Sequence, residues 1–340
     1  MGNILYFSLI SQDGSLFSQI NTMTVGTSVG ATISNRSFSA VIVESFLFII
    51  INTTAIVGNV FVIVAISRNP ALRKITNWYI LSLAISDLVV AVTCFPLSLG
   101  ASIKGQWLYS DVICQLQGHV IQVWACFSLT IVALTAVNRY YRVVRPILYR
   151  KFFTKRLTII ITAACLFLSV LVAVGMMFVM TANFQFGPHF FCTPNFTDRL
   201  LKKTISLPIF LAFILISLMV VIFCYFKVYR VVRRHVILVC PNLRAEALHR
   251  QNKNSFTCRV DEINATKMVF AIITVNCLLW IPVCIIGALY VCDIALPRWT
   301  HLMYDYLLFI TTATNPLIYG LMNKAFRDEY VRIMKCEKIT

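Results

Sequence analysis

Apolar residues in this chain come in long unbroken runs, not in the narrow stripes of a soluble amphipathic helix. Seven runs stand out, at residues 41–67, 76–99, 112–140, 157–181, 204–229, 265–291 and 301–322. Each is long enough to cross roughly 30 Å of hydrocarbon, for which about 20 helical residues suffice. A chain in lipid must satisfy its own backbone hydrogen bonds, and barrel strands of about 10 residues do not fit runs this long. The pattern predicts an all-α membrane protein, a bundle of seven transmembrane helices. The connections are short, so one domain is expected. It divides into an N-terminal tail (1–40), the bundle (41–322) and a C-terminal helix with a short tail (323–340).

Composition agrees with burial in lipid. Hydrophobic residues make up 59% and charged residues 13%, against about 45–50% and about 25% in soluble domains. Disorder, a collagen-like rod and a disulfide-stapled secreted fold are excluded. The net charge of +17 changes the picture only through where the charge lies. With alternate connections assigned to one side, that side carries Arg36, Lys104, Arg199, Lys202, Lys203 and Arg298. All other Lys and Arg residues fall on the opposite side, which is therefore cytoplasmic. The N-terminus is then extracellular and the C-terminus intracellular. The basic side faces anionic inner-leaflet lipid and offers a landing surface for a cytosolic partner; a nucleic-acid partner is not indicated. Residues 1–40 lack a basic n-region and are rich in Ser and Thr, so the first span is expected to act as its own signal. Asn35 and Asn195 open sequons on the outer side and are glycosylation candidates. Asn52 and Asn264 also match the pattern, but they lie in lipid or inside and should stay unmodified.

Polar side chains inside spans are costly and are functional candidates by default. Asp87 lies deep in the second run, Asn59 in the first and Ser128 in the third; Asn315-Pro316-Leu317-Ile318-Tyr319 closes the seventh. Around them sit Gly58-Asn59, Leu83-Ala84-x-x-Asp87, Trp107 seven residues before Cys114, Asn138-Arg139-Tyr140 beginning 24 residues after Cys114, Trp280-Ile281-Pro282, and Phe326 beyond Tyr319. Over residues 41–336 this ordered set resembles the rhodopsin-like (class A) G-protein-coupled receptors. Within that family the chain looks most like melatonin receptors and their invertebrate relatives. Asn138 before Arg139, Val221-Ile222-Phe223-Cys224-Tyr225 and Tyr319-Gly320-Leu321-Met322-Asn323 carry the likeness. The pocket departs from it: Gly175 and Phe196 align with polar hormone contacts, and Pro316 stands where melatonin receptors have Ala. Cys165 replaces the fourth-span Trp, and Ser217 the fifth-span Pro.

The resemblance implies roles for these residues. Cys114 and Cys192, both on the oxidising outer side, would form a disulfide. Cys292 has no evident partner. Asp87, Ser128, Asn315 and Asn59 would hold an allosteric sodium ion, the only cofactor implied; the alternative is a sodium-free polar network. No metal site is otherwise expected. Arg139, flanked by Asn138 and Tyr140, would restrain the resting state and then meet the G protein. Asn138 supplies no charge, so Glu262 would be its acidic partner. Pro282 should kink the sixth helix, with Trp280 two residues earlier facing the pocket floor and Tyr225, Asn315, Pro316 and Tyr319 rearranging with it.

Ligand-pocket candidates by spacing are His119, Ile121, Gln122, Phe184, Phe196, Trp280, Ile285 and Tyr306. Amine receptors carry an Asp where this chain has Ile121, and opsins a Lys where it has Phe309. A small neutral or amphipathic ligand, or the end of a peptide, is therefore expected, and not a cationic amine or retinal. Phe326, Tyr330 and Met334, spaced four residues apart among Lys and Arg, predict an interfacial helix, and Cys336 after it is a palmitoylation candidate.

The expected function is thus that of a multi-pass plasma-membrane receptor and not an enzyme. Its partners would be an extracellular ligand, a heterotrimeric G protein of the inhibitory class, arrestin, a receptor kinase and the lipid bilayer. A channel or transporter would call for internal repeats and paired broken helices, and no repeat is evident. A membrane enzyme would call for a nucleophile–base pair or metal ligands in the spans, and no such cluster is evident.

Overall fold

A computed structural model describes residues 36–180, 183–195, 207–249 and 253–337. The chain runs through helices α1 (Phe38–Arg68), α2 (Ile75–Thr93), α3 (Phe95–Lys104), α4 (Asp111–Val144), α5 (Pro146–Phe152) and α6 (Lys155–Met180). Strands β1 (Asn183–Phe186) and β2 (Cys192–Asn195) follow, then α7 (Leu207–His249), α8 (Lys253–Val291), α9 (Arg298–Met322) and α10 (Lys324–Met334). The hairpin is a departure from an all-helical expectation, confined to the second outer loop.

Local chemistry sets the helix ends. Ser37 caps α1, its hydroxyl accepting from Ala40 N at 3.3 Å, and Asn323 caps α10, accepting from Ala325 N at 3.0 Å. The second run is broken after Thr93, with Pro96 in the first turn of α3, where a missing N–H costs nothing. Gly105 ends α3 at φ 71°, a left-handed turn that favours glycine. α7 and α8 extend well past the bilayer on the cytoplasmic side, where the sequence alone marked a loop.

Six of these spans are long and apolar enough to cross a membrane by composition alone. α9 is less apolar, because Asp305, Thr311, Thr312 and Asn315 line its buried face. It packs between α1 and α8 and completes the seven-helix bundle. Outward side chains such as Phe167, Met219, Ile222 and Leu278 are exposed, as a lipid-facing surface requires.

Lipid gives no hydrophobic drive between helices, so close packing and internal hydrogen bonds must hold them. An outer core gathers Phe48, Phe95, Ile121, Trp124, Trp280 and Phe309. An inner core gathers Ile80, Val221, Tyr225, Tyr319 and Phe326. α1 and α9 pack closely: a Cβ on Gly58 would stand 2.7 Å from Pro316 Cγ. Gly58→Ala should therefore push α1 off α9. Overpacking of this kind costs about 1–3 kcal/mol, which should appear as a lower melting temperature of the purified protein.

Candidate functional site

The second outer loop closes the outer end of the bundle. β1 and β2 pair antiparallel, with Phe186 opposite Cys192. Cys192 is disulfide-bonded to Cys114 at the top of α4, with the Cα atoms 5.5 Å apart. Two glutamines of α4 hold the same hairpin. Gln115 donates to Phe184 O at 2.7 Å and accepts from Phe184 N at 2.9 Å. Gln117 accepts from Cys192 N at 3.1 Å. Gly118 makes room between them, since a Cβ there would overlap the Phe184 ring.

The residues between the strands turn into the bundle. His189 Nδ1 donates to Asp305 Oδ1 of α9 at 2.7 Å, and Phe190 N donates to Asp305 Oδ2 at 2.9 Å. His301 Nδ1 lies 3.3 Å from His189 Nε2, so one set of tautomers satisfies all three side chains. Phe191 is buried in the outer core with Ile121 and Trp280, its ring 5.7 Å from that of Phe309. Beside this cluster, Glu44 of α1 takes ion pairs from Arg36, at 2.9 Å, and from Arg298.

Several pocket candidates meet here. Ile121 and Trp280 are buried in the same outer core, and the His119 ring packs tilted against Phe184 with centroids 4.6 Å apart. Gln122 is half-buried beside Ile121. Tyr306 instead turns toward α1, donating its hydroxyl to Glu44 O at 2.8 Å. Ile285 is a correction: it is 56% exposed, while Val283 and Ile286 are buried. Helical spacing puts those two on one side and Ile285 on the lipid side. Phe196 lies outside the described residues, as does Asn35. Asn195 is exposed at the end of β2, its amide donating to Gln185 at 2.7 Å. A separate cavity of about 730 Å³ opens toward lipid between α2, α4 and α6, lined by Trp78, Ile85, Val123, Trp124 and Leu166.

At mid-membrane, Asp87 is fully buried. Asn315 Nδ2 donates to its Oδ2 at 3.2 Å and Trp124 Nε1 to its Oδ1 at 2.8 Å. Asn59 turns its amide to Ala55 O and Thr312 O, and Ser128 is buried on α4. Pro282 and Pro316 lie inside α8 and α9.

At the inner end, Arg139, Tyr225 and Tyr319 are buried. Asn138 is tied to α2, accepting from Thr76 Oγ1 at 2.9 Å, and Tyr140 packs beside Phe223. The Glu262 side chain lies outside the described residues. α10 docks through Phe326, fully buried against Tyr319, and through Tyr330 against Phe61. Burial pushes the Tyr330 phenol upward, so it stays a neutral donor to Pro316 O at 3.4 Å. Glu329 is buried between Arg68 and Arg332, at 3.9 and 3.7 Å. Met334 and Cys336 are exposed at the end of α10.

Sequence reasoning missed Asp305, Glu44 and Trp124. The two acids carried a signal, each being a charge inside an apolar run. Trp124 carried none, because an aromatic in a span ordinarily reads as packing.

The model of the 7 transmembrane receptor (rhodopsin family) matches residues 58–319. Similar curated proteins include the melatonin receptor type 1B-B of Danio rerio, 27% identical over 91% of this chain and 86% of the relative. The melatonin receptor type 1A of Ovis aries is 27% identical over 82% of this chain and 74% of the relative. The melatonin receptor type 1C of Gallus gallus is 26% identical over 82% and 78%. With the bundle, the disulfide-pinned outer loop and a match across nearly all spans, the chain belongs to the rhodopsin family of seven-transmembrane receptors: it is a multi-pass plasma-membrane G-protein-coupled receptor, not an enzyme, with an extracellular ligand and a G protein as its partners.

Proposed function

We propose that the ligand is a small neutral or amphipathic molecule, or the end of a peptide, and that the receptor signals through an inhibitory-class G protein. The observation that carries the ligand class is the state of Asp305. Both its oxygens are taken, by His189 and by Phe190 N, and Glu44 is held by two arginines. A cationic amine would have to break a buried hydrogen-bonded pair to gain a counter-ion, and the group left behind would be buried unsatisfied. Ile121, in the amine-anchor position, is buried among apolar side chains, and so is Phe309.

The relatives' names point to melatonin as one candidate. Gly175 and Phe196 remove the two polar contacts the resemblance would supply, and a Cβ on Gly175 would meet nothing within 4 Å. Melatonin is therefore not expected to be the preferred agonist. The coupling class, arrestin and a receptor kinase rest on resemblance. The same reading has palmitate on Cys336 and glycans on Asn35 and Asn195.

The test is a ligand panel on transfected cells, read by cAMP and calcium. Dopamine, serotonin, histamine and light should give no potent response, and the cognate ligand should lower stimulated cAMP. A submicromolar serotonin response would show the ligand-class reading to be wrong.

A further inference from the structure

Asp87 is the point on which the polar groups of the bundle centre converge, and they arrive as donors. Trp124 Nε1 of α4 donates to Oδ1 and Asn315 Nδ2 of α9 to Oδ2, at 2.8 and 3.2 Å. Behind Asn315, Asn276 Nδ2 of α8 donates to Asn315 Oδ1 at 3.4 Å. Four helices are thus joined by a chain of N–H groups that ends on one carboxylate.

A hard cation needs the opposite arrangement, with oxygen lone pairs converging on a common point. Of the four residues expected to hold sodium, Asn315 presents its nitrogen to Asp87 and spends its oxygen on Asn276. Asn59 Oδ1 has no hydrogen-bond partner among the described atoms, and with Ser128 it is what would favour a cation. Against this, each carboxylate oxygen already faces a positive dipole end, and an indole ring fills the α4 side of the carboxylate. Both N–H bonds are charge-assisted when Asp87 is ionised, the stronger kind of hydrogen bond. The donor set does not fit sodium.

We infer that Trp124 takes the place of a sodium ion at Asp87, so that the resting receptor is insensitive to sodium. An ion exchanges with the medium, whereas an indole is fixed to its helix. The Trp124 ring also lies beside Trp280, with centroids 6.2 Å apart, two residues before Pro282 on α8. Trp124 is therefore a positioning residue that ties the Asp87 network to the aromatic beside Pro282 of α8. This does not depend on which ligand the receptor binds.

The experiment measures thermal unfolding of the purified full-length receptor in sodium chloride and in N-methylglucamine chloride at equal ionic strength, which removes general screening. The wild type should melt within about 1 °C in the two salts. Trp124→Ser, which removes the indole and adds an oxygen, should gain a sodium-specific rise of about 2 °C or more, as a ligand bound only by the folded state requires. Adding Asp87→Asn should abolish that rise. Trp124→Phe keeps a ring but loses the donor, and should melt lower in both salts equally. A sodium-specific rise in the wild type that Asp87→Asn removes would overturn the inference, whether or not the Trp124 variants fold. A folded Trp124→Ser that gains no sodium response, or a Trp124→Phe that melts like wild type, would also overturn it.

Discussion

Cells expressing Cys192→Ser or Cys114→Ser are expected to lose nearly all surface receptor and signalling, and the double variant should be no worse than either single one. The bridge closes a separation of 78 residues. In the chain-entropy model closing a loop of that length stabilises the fold by about 4.5 kcal/mol, a large share of the roughly 5–15 kcal/mol that holds a typical protein folded. Gln115, Gln117 and Asp305 would still hold the loop through hydrogen bonds. Each such bond is worth only about 1 kcal/mol net, so they cannot replace the covalent tie. Without it, Phe191 and His189 are no longer fixed over the bundle core, and the buried Asp305 loses partners. Surface staining at matched total expression is the measurement. Normal surface density in either single variant would show that the hydrogen bonds suffice.

The second large effect is at the inner end. Arg139→Ala should cripple G-protein activation while leaving surface density intact, as the family resemblance implies by making Arg139 the G-protein contact. Asn138 gives it no charged neighbour, and its side chain is committed to Thr76 of α2. Glu262 should then carry more of the resting restraint, so Glu262→Ala should raise ligand-independent signalling. A differential loss of about 1.4 kcal/mol from the resting state raises the active-to-inactive ratio about tenfold. Asn138→Asp keeps an oxygen for Thr76 and adds a charge beside Arg139, so it should lower basal activity. Basal G-protein activation at matched surface density tests all three. If Glu262→Ala leaves basal activity unchanged while Arg139→Ala still abolishes signalling, the ionic restraint is absent and Arg139 acts only as a contact.

The amino-acid sequence by itself determined the seven spans, their orientation and the family. Lipid imposes these one segment at a time: each span must be predominantly apolar, and basic residues favour the inner side. Single-helix properties of this kind need no knowledge of neighbours. The interfacial helix was legible for the same reason, since Phe326 and Tyr330 mark one face of α10 by spacing alone. Which face of a span meets its neighbours was less legible, because both faces are apolar; Ile285 looked like pocket and proved to face lipid. Only the tertiary structure decided the contacts that join distant segments. His189 and Asp305 are 116 residues apart and form one buried pair. Glu329 of α10 reaches back to Arg68 at the end of α1. Asp87 was legible as a costly buried acid, but its partner was not. Trp124 sits in an apolar run where any large side chain would satisfy the pattern, and only the packing of α4 against α2 brings its N–H to the carboxylate.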